Sequence, residues 1–136
     1  MRGLPSAVRL ALEKARESAL LAVEVYNKPG NTFRSGGYIV LMVIAWTALF
    51  HAVFFRRKTK PYYREKNRRY KRIDGDYKHW ELDESLRQYF GSEVGHPVRR
   101  NLEFFIPLRN QIEHRSVPAL DASIFGECQE IGRAHV

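Results

Sequence analysis

A chain of 136 residues with 44% hydrophobic residues suits a single domain with its own core, and excludes a wholly disordered protein. One cysteine, Cys128, excludes an internal disulfide framework and a thiolate zinc cluster. The net charge of +8 is concentrated, because Arg56 to Arg72 holds ten basic residues against one acid, Glu65, and the remainder is close to neutral.

From Pro5 to Asn27, Val8, Leu12, Ala15, Ala19, Ala22, Val23 and Tyr26 recur at helical spacing, with Arg9, Glu13, Lys14, Arg16 and Glu17 opposite. That pattern predicts an amphipathic helix. Pro5 fits its first turn, and Asn27-Lys28-Pro29-Gly30-Asn31 ends it. Arg2, Pro5 and Arg9 interrupt the first twelve residues, which makes a poor export signal, so a reducing cytoplasm is the expected location. Thr32 is a suitable N-cap for a second helix that reaches Phe55.

Ser35 to Phe55 contains no Lys, Arg, Asp or Glu. Tyr38 to Phe55 has the length of a membrane span, with Arg56-Arg57-Lys58 as its flank. A central helix buried on nearly all sides has the same composition, and periodicity does not separate the two. Thr47 and His51 favour the protein interior.

Beyond the basic block, Asp74-Gly75 lies between the aromatic-rich runs at Arg69–Ile73 and Tyr77–Trp80 and predicts a hairpin, within an insertion of about residues 56–81. Asp83 to Phe90 reads as a short helix stopped by Gly91. A longer helix runs from Pro97 to Arg115, with Leu102, Phe105, Leu108 and Ile112 at helical steps. Pro107 inside it predicts a bend just before Arg109. Val117-Pro118 ends this helix, and Asp121 caps a last one beginning at Ile124 and Phe125.

The string Ile131-Gly132-Arg133-Ala134-His135-Val136 is what a common sequencing adapter spells in one reading frame. Native sequence is therefore expected to stop at Gln129, leaving one domain over residues 1–129, a non-native tail over 130–136 and a truncated last helix. The predicted fold class is mainly α, a helical bundle with a small inserted β-hairpin. Its second and its Pro97–Arg115 helices should pack through Val43, Trp46, Phe50, Leu102, Phe105 and Ile112. Such a fragment should expose apolar surface and be marginally stable alone.

The chain has no Gly-rich phosphate loop, no HExxH and no CxxC. His79, His96 and Cys128 share no ligand-like spacing, so neither a metal site nor a cofactor is expected, and surface or capping roles are favoured. Within the Pro97–Arg115 helix, Arg109-Asn110-Gln111-Ile112-Glu113-His114 brings together a fixed cation, an amide and a titratable imidazole. Asn110 and His114, four apart, lie close on one face, while Arg109 must reach across. An arginine that steadies phosphoryl charge and a histidine that moves a proton are the parts needed to cleave a phosphodiester. The same residues also fit an exposed helix end, with Arg109 paired to Glu113 and His114 near the C-terminal dipole.

The basic block, with Tyr62, Tyr63, Tyr70, Tyr77 and Trp80 interleaved or adjacent, suits single-stranded RNA, since cations meet phosphates and aromatic faces stack on bases. Arg68, Arg69 and Lys71 are the candidate nucleic-acid contacts. Cross-strand packing is the competing role for the aromatics.

Arg109-Asn110 followed by His114 resembles the Arg-x-x-x-x-His motif of the HEPN superfamily (higher eukaryotes and prokaryotes nucleotide-binding). The blocks LLAVEVYNKPG, YIVLMVIAWTALFHAVF, RIDGDYKHWEL and NLEFFIPLRNQIEHR resemble, in order, one bacterial HEPN-like family of domains of unknown function, over about Leu20 to Gln129. The resemblance implies a helical bundle that dimerises through the motif helix, so that two motifs line one cleft. It implies metal-independent RNA cleavage through the 2′-hydroxyl, with Arg109 stabilising the phosphate, Asn110 orienting the ring and His114 as acid or base. It also implies a toxin or phage-defence effector, with an antitoxin or other neutralising protein as a further partner. Pro107 departs from the expected pattern. A catalytically silent HEPN module binding RNA or a nucleotide is the alternative, and a membrane-anchored basic protein is the second alternative. Under the resemblance Tyr38–Phe55 is the central bundle helix.

Overall fold

The longest apolar run of the chain becomes the helix on which the others pack. The computed structural model describes residues 3–30 and 33–114, the Glu113 side chain excepted. In chain order the elements are α1 (Ser6–Asn27), α2 (Arg34–Arg56), β1 (Arg72–Ile73), β2 (Asp76–Tyr77), α3 (Leu82–Phe90) and α4 (Pro97–His114). The fold is mainly α with a small antiparallel hairpin, as the sequence predicts. The cap at Thr32, Arg115, the stop at Val117-Pro118, the helix after Asp121, Cys128 and the 130–136 tail lie outside the described residues.

Helix α1 begins without a side-chain cap; the Pro5 carbonyl accepts the Arg9 N–H at 3.1 Å. Among the described elements it packs against α2 alone. One neighbour covers only a narrow stripe, so Val8 and Ala22 are buried while Val23 is 50% exposed. The placement of Val23 on the core face is thereby corrected. Leu10, Leu20 and Leu21 are likewise exposed.

Helix α2 meets α1, α3 and α4. Its entry, Ser35-Gly36-Gly37, is fully buried, and the second glycine lets α1 approach closely. A Cβ on Gly37 would stand 2.8 Å from Val25 Cγ1, inside van der Waals contact. Further along, Ile39, Val43, Phe50 and Phe54 join Leu82 and Leu86 of α3 and Leu102, Phe105, Leu108 and Ile112 of α4 in one core, with Trp46 packed against it. The residues expected to join the two long helices do so.

Helix α3 carries Asp83 and Glu84 in its first turn, where acids suit the helix dipole, and Glu84 pairs with Arg87. Gly91 ends it at φ 59°, a left-handed conformation that glycine adopts without strain, and its N–H returns to the Arg87 carbonyl at 2.9 Å. The link to α4 is fixed by Arg99, which is buried. Its guanidinium pairs with Glu103 at 2.8 Å and donates to the carbonyls of Gly91 at 3.0 Å and Glu93 at 3.4 Å.

His96 and Pro97 open α4. The Val98 N–H donates to His96 Nδ1 at 3.2 Å, which gives His96 the capping role the sequence favours. The helix then continues through Pro107 to His114 without interruption. Proline removes the N–H that the Glu103 carbonyl would have accepted, and both Glu103 and Pro107 lie on the exposed face of the helix.

Candidate functional site

The candidate motif, Arg109, Asn110 and His114, occupies the last turns of α4. Leu102, Phe105, Leu108 and Ile112 turn one stripe of the helix into the core, which fixes the rotation of the residues between them. Arg109, adjacent to Leu108, is half-buried; Asn110 and His114 are exposed. Arg109 Nη2 donates to Asn110 Oδ1 at 3.3 Å. Its Nε is buried and has no hydrogen-bond partner among the described residues. No carboxylate pairs with Arg109 among them either, and the alternative partner, the Glu113 side chain, lies outside them.

The structure thus brings Arg109 and Asn110 into contact and carries His114 on the same continuous helix, five positions on. That interval corresponds to about 7.5 Å of rise and about 140° of rotation. The Asn110 amide oxygen engages the guanidinium.

The basic block forms a second candidate surface. Asp74 and Gly75, at φ 50° and 88°, make the two-residue turn that the Asp-Gly pair predicts, with Ile73 opposite Asp76 and Arg72 opposite Tyr77. The chain before the hairpin adds a third short stretch through the bridges Tyr62–His79 and Arg64–Tyr70. Three backbone hydrogen bonds then close a cycle: Tyr63 N–H to Lys78 O at 2.9 Å, Lys78 N–H to Lys71 O at 2.8 Å, and Lys71 N–H to Tyr63 O at 2.8 Å. The result is a small three-sided ring of strands rather than a bare hairpin.

The rings of Tyr62, Tyr70 and Tyr77 converge, with centroids 4.9 to 5.5 Å apart. Arg64 lies 4.6 Å over Tyr70 and donates to its hydroxyl at 3.0 Å; Arg72 lies 4.8 Å over Tyr77 and donates to its hydroxyl at 3.3 Å. Trp80 packs edge-on against Phe54. These aromatics are engaged with one another and with guanidinium groups, the cross-strand role that competed with base stacking.

Glu65, Arg68, Arg69, Tyr70, Arg72 and Tyr77 line an open cleft of about 540 Å³. Of the three predicted contacts, Arg68 and Arg69 come together there. Lys71, one residue before β1, does not line the cleft. Arg72 stands in its place.

The ring is seated on the C-terminal half of α2. His51 Nε2–H donates to the Trp80 carbonyl at 2.7 Å, Phe54 meets Trp80, and Phe55 meets Tyr62. Burial holds the His51 pKa down to about 4; the Trp80 hydrogen bond opposes this, and the charges of His79 and Lys14 add to it. His79 is exposed and bonds through Nδ1 to the Tyr77 carbonyl at 3.0 Å. Among the described residues, no three His, Cys, Asp or Glu side chains converge as a metal-ligand set.

The described architecture is that of a small helical domain with an arginine-rich β insertion. The family model described as a domain of unknown function, DUF3644, matches residues 10–132, and the chain belongs to that family. Neither a curated protein nor a solved structure matches it significantly.

Proposed function

We propose that the chain is a metal-independent endoribonuclease of HEPN type, a toxin or phage-defence effector acting in the cytoplasm, with Arg109, Asn110 and His114 as its cleavage motif. The observation that carries this reading is the guanidinium of Arg109. It is half-buried, unpaired by any described carboxylate, and its Nε has no described partner. A buried donor left open is costly unless a ligand meets it, and a phosphate oxygen is the natural acceptor.

In this reading the 2′-oxygen attacks phosphorus, the O2′–P bond forms and the P–O5′ bond breaks. One imidazole takes the 2′-hydroxyl proton and a second delivers a proton to the departing O5′, leaving a 2′,3′-cyclic phosphate and a 5′-hydroxyl. Each protomer supplies one His114, so two protomers joined through α4 provide the acid and the base. Arg109 opposes the charge that grows on the non-bridging oxygens. RNA is the substrate, and an antitoxin-like protein is the further partner.

The silent RNA-binding module is favoured by one observation, the Asn110 oxygen engaged with Arg109 instead of the imidazole. For the membrane reading, α2 is long and apolar enough to cross a bilayer by length and composition. Its contacts with α1, α3, α4 and Trp80 support the central-helix role instead.

The test is RNA cleavage by the full-length protein in excess EDTA, wild type against Arg109→Ala and His114→Ala. Each substitution should lower the rate by about a hundredfold or more. Equal activity in all three removes the site; no cleavage by any, with RNA binding intact, favours the silent module. Retention in the membrane fraction after carbonate extraction would support the anchored protein.

A further inference from the structure

We propose that the arginine-walled cleft of the strand ring is an exosite that grips the phosphates of single-stranded RNA flanking the cut, remote from the His114 end of α4. This rests on the ribonuclease reading and assigns the surface that captures the substrate.

The first support is charge held in place. Arg68, Arg69 and Arg72 face Glu65 as the one acid of the cleft, and none of them is in an ion pair among the described residues. Arg72 is oriented by the Tyr77 ring and hydroxyl, and Arg64 beside it by Tyr70 and by the Arg68 carbonyl at 3.2 Å. The turn carrying Arg68 and Arg69 is itself fixed: Glu65 N–H donates to Arg69 O at 2.8 Å, and Arg69 N–H to Asn67 Oδ1 at 3.1 Å. Guanidinium groups positioned before the ligand arrives lose little freedom on binding it.

The second support is what the ring does not offer. Its three converging tyrosines occupy one another, so the cleft presents cations rather than free stacking faces. Phosphates are the complementary groups, and recognition is then insensitive to base sequence. An anionic membrane would need several apolar side chains free to insert beside the cations, and among the described ring residues Ile73 and Tyr77 alone are exposed large apolar groups.

The third support is position. The ring sits on α2 at His51, Phe54 and Phe55, whereas α4 touches neither β1 nor β2. Helix α4 opens beside Trp46, Phe50 and Val53 and continues for 18 residues, about 27 Å, to His114. A strand held in the cleft therefore reaches the motif only if it extends several nucleotides beyond the scissile bond.

The experiment uses the full-length protein with Arg69→Glu, and separately Arg69→Ala combined with Arg72→Ala. Arg69 has no described side-chain bond within the ring, so its reversal leaves the ring contacts in place. Binding of a long single-stranded RNA is measured against salt in a His114→Ala background. Both variants should weaken binding by about tenfold or more at moderate salt, and the double variant should flatten the slope of log K on log salt by about 1.4, two phosphates' worth. With His114 intact, KM for the long RNA should rise while kcat, and cleavage of a dinucleotide, stay unchanged.

Unchanged RNA affinity and salt slope would overturn the exosite, all the more so if the variants instead lost binding to an acidic peptide or to phosphatidylserine vesicles. Equal losses on the dinucleotide and the long RNA would overturn its remoteness. Reduced RNA binding in the variants, with no cleavage by any protein, would retain the cleft as an RNA site and remove the ribonuclease reading.

Discussion

His51 of α2 donates its Nε2 hydrogen to the carbonyl of Trp80, 29 residues later, at 2.7 Å. Together with the ring contacts of Phe54 to Trp80 and Phe55 to Tyr62, this bond ties the arginine ring to the bundle; burial, not the bond itself, favours the neutral imidazole. The His51 pKa falls from 6.5 to about 4, chiefly through burial. In the unfolded chain the ring protonates near 6.5; in the folded chain it resists until about 4. Between those values the unfolded state binds the extra proton, so stability is full above pH 6.5 and declines as pH falls toward 4. With allowance for partial solvent screening, the loss is on the order of 2 kcal/mol. Urea titrations of wild type and His51→Gln at stepped pH should show this decline in the wild type and a flatter profile in the variant.

A second prediction concerns the approach of α1 to α2. Replacing Gly37 by alanine improves helix propensity by about 1 kcal/mol, yet the new methyl would meet Val25 Cγ1 at 2.8 Å. Overpacking of this kind costs about 1–3 kcal/mol, so the clash prevails or at best balances the gain. Thermal unfolding should show Gly37→Ala no more stable than wild type. Val25→Ala introduced together with it should recover part of the loss, because it removes the atom in the way.

The helices and the Asp74-Gly75 turn were legible because each is written locally, in apolar spacing, in breakers or in one dipeptide. Periodicity misplaces Val23, because it reports which residues are apolar, not how many neighbours cover the helix. The closure of the strand ring was hidden as well. Tyr62 to Arg64 sits in a cationic run with no alternation of its own, and its bonds go to Lys71 and Lys78, well along the chain. Gly37 carried no visible signal either, since the need for glycine arises from Val25 on another helix. Residue type and spacing make Arg109, Asn110 and His114 candidates, whereas the contact between Arg109 and Asn110 is visible only in side-chain geometry.

Arg68 supplies a third prediction, one that separates charge from fold. Its φ of 68° is unfavourable for a residue with a Cβ, at a cost of about 1–2 kcal/mol, and glycine adopts it freely. Arg68→Gly should therefore keep or slightly raise the melting temperature while removing one cation from the cleft. Unfolding of the ring in this variant, read by near-ultraviolet dichroism of its tyrosines, would show that the Arg68 side chain itself holds the turn.

The last prediction uses Asn110. Its amide oxygen already accepts a hydrogen bond from the charged Arg109 guanidinium at 3.3 Å on an exposed surface. Asn110→Asp would turn this contact into an ion pair. In the proposed ribonuclease reading, a carboxylate would compete with substrate phosphate for the guanidinium and add a negative charge where the transition state already gathers one. Cleavage by the full-length protein should then fall by about tenfold or more, while stability stays within about 0.5 kcal/mol of wild type, as expected for an exposed pair. Asn110→Ala should leave Arg109 free and cost less than Asn110→Asp. Were alanine the more damaging change, and the pH dependence of kcat displaced with it, the amide would act on the His114 ring rather than on Arg109. Steady-state rates for the three proteins across the range where an imidazole titrates distinguish these outcomes.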